Sequence, residues 1–241
     1  HSGSRGLGHQ VCQDALDLFI QKKYDLDLPD KQLVAAPFQS KEGQDYFAAM
    51  AAAANFAFNN RQKILHEVRD AFYSILKIPH GQISLLYDVC HNIAKIEEHE
   101  VHGRMKKLCV HRKGATRAFG PNHPELLESY KKTGQPVLVP GDMGRASYLL
   151  AGLGNPLTFS SSCHGAGRAR SRIKSLKEWA NRDTVEYMRE QGVIVKASSP
   201  KTIAEEMPDA YKDVDLVVDA TEQAGLAKKV ARLKPYLVLK G

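Results

Sequence analysis

At 241 residues the chain suits one large domain or two small ones and can bury roughly 70% of its unfolded surface without a disulfide or metal staple. Lysine and arginine outnumber aspartate and glutamate 34 to 27, a formal charge of +7, with cations concentrated in Arg112/Lys113/Arg117 and Arg168/Arg170/Arg172/Lys174/Lys177; such clusters suggest a polyanion as partner, nucleic acid first. The four cysteines form no Cys-X-X-Cys pair, which argues against a zinc knuckle or dithiol redox site and predicts reduced thiols in a cytosolic protein.

In chain order, His1-Ser2-Gly3-Ser4-Arg5-Gly6 is a polar, glycine-rich opening with no element before it, as expected of a cut through a larger protein. Val11, Ala15, Leu16, Leu18 and Phe19 form a helical stripe, and residues 43–76 predict a longer alanine-rich helix with a break near Asn59-Asn60. Its most apolar part, residues 46–58, is interrupted by Asn55 and too short to span a bilayer. Residues 83–89 and 107–111 read as strands that run into the polar motifs Cys90-His91-Asn92 and Arg112-Lys113-Gly114. His111, alternating with apolar neighbours, is expected to be half-buried. Residues 136–139 and 146–150 are two further strands about the turn Pro140-Gly141-Asp142-Met143-Gly144. Helices are predicted over 169–179, 184–191 and 214–224 and from Ser199-Pro200, with strands over 193–197 and 235–239. With no repeat and no linker, this is an α+β pattern of mixed, largely antiparallel sheets flanked by helices, built as a single region over 1–241.

The segment Cys163-His164-Gly165-Ala166-Gly167-Arg168 sets an imidazole beside residues that expose their backbone and a run of guanidinium groups. Gly165 and Gly167 let a phosphate approach the main-chain N–H groups. A helix beginning after Gly167 would put Arg168 and Arg172 on one face. Neutral imidazole is a good nucleophile toward phosphorus. A plain glycine turn before a solvated basic helix, or a nucleophilic Cys163, are the competing readings. His1 and His91 also lie in polar loops and could give two nitrogens to a divalent metal, which needs further ligands. The Gly141-Asp142-Met143-Gly144 turn could hold a flat base, with Ser147 as a polar contact.

Taken together, His1-Ser2-Gly3-Ser4-Arg5-Gly6, His91-Asn92, residues 111–119, Pro140-Gly141-Asp142-Met143-Gly144, Cys163-His164-Gly165-Ala166-Gly167-Arg168 and Lys240-Gly241 resemble the RtcB family of RNA-splicing ligases, over the C-terminal half of a family member. The resemblance implies a Mn(II)- and GTP-dependent RNA ligase that joins 3′-phosphate or 2′,3′-cyclic phosphate ends to 5′-hydroxyl ends in tRNA splicing and RNA repair. It implies guanylylation of His164 and metal binding by His1 and His91. Guanine-nucleotide contacts would come from His91, Asn92, Pro140, Gly141, Asp142, Met143, Ser147, His164, Gly165, Ala166, Gly167 and Lys240, with Tyr211 stacking near the base. Arg5, Lys113, Arg168 and Arg172 are candidates for the RNA phosphates. The remaining metal ligands, an Asp, a Cys and another His, belong to an N-terminal region outside this chain, so the chain alone is expected to be a poor ligase. Asp142 stands where some members carry a small hydroxylated residue. RNA, an archease-type activator and the N-terminal half are the implied partners, in the cytoplasm. A non-catalytic RNA-binding scaffold and a metal-dependent phosphohydrolase using His1 and His91 are the alternatives.

Overall fold

The computed structural model describes residues 1–24 and 27–241. They divide into two compact units, His1–Asp88 with Leu237–Gly241, and Val89–Tyr236. Among the described residues no helix is long and apolar enough to cross a membrane.

In the first unit helix α1 (Gly6–Gln21) packs on helix α2 (Lys41–Leu76). Phe19 is buried edge-on to Tyr24 and Tyr46, with centroids 6.1 and 5.8 Å away. The Ser40 hydroxyl starts α2 by accepting from the Gly43 N–H at 3.1 Å. The predicted break near Asn59-Asn60 does not occur, because the Asn60 amide donates to the Ser2 hydroxyl and the Gly3 carbonyl at 2.9 and 3.0 Å. Engaged there, it does not compete for its own helix backbone. Residues 83–89 are not a strand either. Side chains of α2 hold this segment: Arg69 donates twice to the Ile83 carbonyl, and Arg61 pairs with Asp88 at 2.6 Å. Residues 235–239 form no strand, and the tail is instead tied to the first residue.

The second unit is built from antiparallel pairs. Strands β1 (Asn92–Val101) and β2 (Arg104–Lys113) make a ten-residue hairpin, from Asn92 opposite Lys113 to Val101 opposite Arg104. Strand β3 (Ala115–Arg117) pairs with β6 (Ser161–Cys163), and a three-stranded sheet takes the order β4 (Pro136–Val139), β5 (Ser147–Gly152), β7 (Ala227–Leu233). Helices α3 (Arg172–Trp179), α4 (Thr184–Glu190), α5 (Pro200–Glu205) and α6 (Val214–Gln223) complete an α+β fold. Val137, Val139 and Leu150 of the sheet bury against Val214 and Val218 of α6, while Trp179, Met188, Ile203 and Met207 form a second cluster. Residues 193–197 are irregular, contrary to the strand pattern. Val193 and Val195 are satisfied by packing on the second cluster.

Close backbone approach fixes the seat of β5. A Cβ on Gly152 would stand 2.4 Å from the Ala118 carbonyl carbon and 2.5 Å from its oxygen, contacts with no flexible side chain to yield. Gly152→Ala is therefore expected to destabilise this unit by about 1–3 kcal/mol, measured as a lower denaturant midpoint at unchanged slope. A midpoint equal to wild type would show that β5 shifts freely.

Candidate functional site

The base of the hairpin and the β3/β6 pair bring two predicted loops to one place. The Gly114 N–H is shared between the His91 carbonyl at 2.9 Å and the Asn92 side-chain oxygen at 3.2 Å, and Gly114 takes φ +68. The Thr116 hydroxyl donates to the Cys90 carbonyl at 3.1 Å. Asn92 pairs with Lys113 and Ala115 with Cys163, so His91 precedes the first of these rungs and His164 follows the second, with only Gly114 between the two rungs on the shared chain. Their rings stack with centroids 4.0 Å apart and planes 7° apart. A Cβ on Gly114 would lie 3.7 Å from His164 Nε2, so the glycine leaves room beside that nitrogen.

Burial lowers the pKa of His164, and the nearby Lys113 charge lowers it further. The ring is thus held toward its neutral, nucleophilic form. Cys163 faces away, its sulfur 3.1 Å from the Thr221 hydroxyl and packed against the sheet–α6 core. That placement favours His164 over Cys163 as the nucleophile.

After His164 the loop is pinned at both ends: the Ala166 N–H donates to the Pro140 carbonyl at 3.2 Å, and the Lys212 N–H to the Gly167 carbonyl at 3.0 Å. Gly167 has φ +73, and no heavy atom lies within 4 Å of where its Cβ would stand. This open backbone is the kind of cradle a phosphate needs. The Pro140 bond places the second predicted loop alongside. There Gly141 is obligatory, since a Cβ would meet the Ala146 carbonyl at 2.3 Å. Asp142 is buried; its Oδ1 accepts from the Gly144 N–H at 2.9 Å and its Oδ2 lies 3.4 Å from Arg145 Nε. Its carboxylate therefore builds the turn. Met143 packs on the Trp179 cluster, and Ser147 opens β5 opposite Leu233.

The basic clusters divide sharply. Arg112 is buried: its guanidinium donates twice to Glu97 at 2.7 and 2.8 Å and also bonds the Ser161 hydroxyl and Phe159 carbonyl. It offers nothing to a polyanion. Helix α3 starts at Arg172, capped by Ser171, so Arg168 and Arg172 do not share a helix face. Arg168 turns inward, donating to the Arg170 and Glu205 carbonyls at 3.0 and 2.6 Å and pairing with Glu206 at 3.4 Å. It also lies 5.1 Å from the Tyr211 ring centroid. Tyr211 donates to Glu206, and burial, then that carboxylate, push its pKa up to about 12. Arg170 is held by Glu178 and Asp209. Lys113 and Arg172 remain exposed, the latter in a loose 3.8 Å pair with Glu205. His111, expected half-buried, is exposed because it lies on the outer face of the hairpin, 3.6 Å from Cys109.

His1, Arg5 and Lys240 belong to the other unit. The His1 amino group donates to the Leu239 carbonyl at 2.6 Å, and the Gly241 N–H to the His1 carbonyl at 3.0 Å. Burial lowers the amino group's pKa, as do Lys240 and Arg61. Arg5 is exposed, at φ +55. Among the described residues, no group of three or more His, Cys, Asp or Glu side chains could hold a metal ion.

The functional residue that sequence reasoning missed is Glu97, which orients the hairpin through Arg112. It sits in the polar run Glu97-Glu98-His99-Glu100, where nothing but a strand alternation would have marked it as inward-facing.

The whole chain, residues 1–241, matches the family model described as tRNA-splicing ligase RtcB. It is 52% identical over 245 residues to the tRNA-splicing ligase RtcB of Nanoarchaeum equitans, covering 100% of this chain and 51% of that protein. For the proteins of the same name from Methanococcus maripaludis and Methanocaldococcus jannaschii the identity is 50%, again over 100% of this chain, with 52% and 26% of the relative covered. The chain thus spans about half the length of the first two relatives. On this whole-length match, the chain belongs to the RtcB family of tRNA-splicing ligases.

Proposed function

We propose that the chain is the part of a GTP-dependent RNA ligase that carries the covalent nucleotide, joining RNA 3′-phosphate or 2′,3′-cyclic phosphate ends to 5′-hydroxyl ends in tRNA splicing and RNA repair. The observation that carries the reading is the half-buried His164 ring, stacked on His91 and followed three residues on by the open backbone of Gly167. The neutral ring nitrogen attacks the α-phosphorus of GTP; an N–P bond forms as the bond to pyrophosphate breaks. A 2′,3′-cyclic end is first opened by water, which breaks the P–O2′ bond and leaves the 3′-phosphate; an oxygen of that phosphate then takes GMP from His164 as the N–P bond breaks. The 5′-hydroxyl attacks that activated phosphorus, a phosphodiester forms, and GMP leaves.

In this reading Gly165, Ala166 and Gly167 line the nucleotide phosphates, with the open backbone at Gly167 while the Ala166 N–H stays on the Pro140 carbonyl, and His91, Asn92 and Ser147 supply polar contacts. Pro140, Gly141, Asp142 and Met143 contribute through the backbone, because the Asp142 and Met143 side chains are engaged within the protein. Lys240 and Tyr211 complete the proposed nucleotide set. Mn(II) is the proposed metal, with His1 and His91 among its ligands; two imidazoles do not complete a coordination sphere, and the phosphoryl steps are assigned here to the chain's own groups. RNA phosphates fall to Arg5, Lys113 and Arg172, whereas Arg168 serves the Tyr211–Glu206 cluster. The remaining half of the fold, an archease-type activator and a cytoplasmic setting belong to the same proposal.

The test is a chimera in which residues 1–241 replace the matched region of the Nanoarchaeum equitans relative, incubated with Mn(II), labelled GTP and RNA ends. An acid-labile, alkali-stable guanylate adduct and joined RNA are expected. A folded chimera without the adduct but with RNA bound would indicate the scaffold reading, and ends hydrolysed without joining would indicate a phosphohydrolase.

With the phosphate contacts assigned as above, Lys113→Ala and Arg172→Ala are each expected to slow RNA joining about tenfold or more, the loss of one charge-assisted contact, while adduct yield changes by no more than about twofold. Equal loss in both steps would reassign these cations to the nucleotide.

A further inference from the structure

Charge is divided between the two strands of the β1/β2 hairpin. Strand β1 carries Glu97, Glu98 and Glu100 with Lys95, whereas β2 carries Arg104, Lys106, Lys107, Arg112 and Lys113 and no acid. Strand alternation places Met105, Lys107, Cys109, His111 and Lys113 on one face of β2, opposite Glu100, Glu98, Ile96, Ala94 and Asn92 of β1. Lys107, His111 and Lys113 are exposed there. Although Glu98 faces Lys107, neither Lys107 nor Lys113 is in an ion pair among the described residues, unlike Arg112, Arg168 and Arg170. Met105 and Ile96, 64% and 42% exposed, interleave apolar surface with these cations.

The inner end of the row is the candidate site itself: Asn92 bonds Gly114, and the Lys113 charge is felt at His164. Two-residue steps along a strand are about 7 Å, so Lys107 lies about 20 Å out from Lys113. Two lysines at this separation, one at each end of a stretch of apolar and imidazole groups and with Glu98 and Glu100 confined to the outer end of the same face, suit an extended single strand that meets a cation at two of its phosphates and lays unstacked bases between them. A duplex would offer no bases to Ile96, Met105 or His111.

We propose that this outer face of the hairpin is a track for single-stranded RNA, leading the nucleotides next to the reacting end away from His164 across Lys113, His111 and Lys107. Its substrate class rests on the ligase reading, but the track is detected by binding alone.

The experiment measures fluorescence anisotropy of a labelled single-stranded RNA dodecamer and of a dinucleotide with the 241-residue chain, over a range of salt. Lys107→Ala is expected to weaken the dodecamer about fivefold and to reduce the slope of log affinity against log salt by about 0.7, one phosphate contact. The dinucleotide, too short to reach position 107, keeps its affinity. Lys228→Ala, which removes the same charge from an exposed site on β7, should leave both RNAs unchanged. Equal behaviour of the Lys107→Ala and Lys228→Ala variants, or tighter binding of polyglutamate than of RNA, would overturn the track. The guanylate adduct of the chimera carrying Lys107→Ala is expected at the wild-type level. Its loss in wild type would count against the nucleotide chemistry, not against the track.

Discussion

In the chimera, His164→Ala is expected to reduce the guanylate adduct to background and RNA joining with it, a loss of at least about a thousandfold for removal of a covalent nucleophile. Of the side chains at this loop, only His164 combines an open approach beside Gly114, a pKa lowered by burial and Lys113, and the free backbone of Gly167. Cys163 is directed to Thr221, and Arg168 is spent on Glu205, Glu206 and Tyr211. The half-buried ring contributes little to the core, so the variant should melt within a few degrees of wild type. Mass spectrometry of the adduct-bearing peptide gives the second readout. An adduct of unchanged yield in His164→Ala, or one mapped to another residue, would remove His164 from the mechanism.

His91 is expected to behave differently. Stacked at 4.0 Å, it orients the His164 ring and is also a proposed metal ligand. Its replacement leaves a nucleophile in place but ill-positioned, so a reduced adduct yield still carried by His164 separates orientation from nucleophilicity.

Much of this arrangement was legible in the sequence because local chemistry dictated it. Ser199 caps the helix read from Ser199-Pro200, Gly167 marks a turn with open backbone, and Gly141 one that needs close backbone approach. The strands read at 136–139 and 146–150 and the helix read at 214–224 form as β4, β5 and α6. What was not legible depended on distant partners. The alternation at residues 83–89 and 193–197 matches a strand, yet Arg69 and Arg61 claim one segment and the Trp179 cluster buries the other. Strands β1 and β7 escaped notice because Glu97-Glu98-His99-Glu100 and Lys228-Lys229 mask the period with charge. The run of arginines looked like one basic surface; only the fold shows that Glu97, Glu206, Glu178 and Asp209 take up several of them.

The Arg112–Glu97 pair carries the largest expected effect on stability. The two side chains are 1% and 2% exposed and joined by two parallel hydrogen bonds. Arg112 also reaches the Ser161 hydroxyl and the Phe159 carbonyl, binding the hairpin to the segment that enters β6 and hence to the His91–His164 stack. Arg112→Ala leaves the Glu97 carboxylate buried without its counter-charge, at a cost of about 3–5 kcal/mol. A double variant, Glu97→Leu with Arg112→Met, removes both charges and should recover most of that loss. Burial pushes the Glu97 pKa up, but the Arg112 hydrogen bonds, the His99 contact and the Arg112 and Arg117 charges outweigh it and hold the pKa below the ordinary 4.5. Stability from this carboxylate is therefore full above the unfolded value and lost as pH falls through the lower folded value. Denaturant melts at pH 7 and at progressively lower pH should show wild type weakening in acid while the double variant changes less. A single Arg112→Ala that melts like wild type at pH 7 would mean that Glu97 finds another cation, and the hairpin would then not depend on this pair for its orientation.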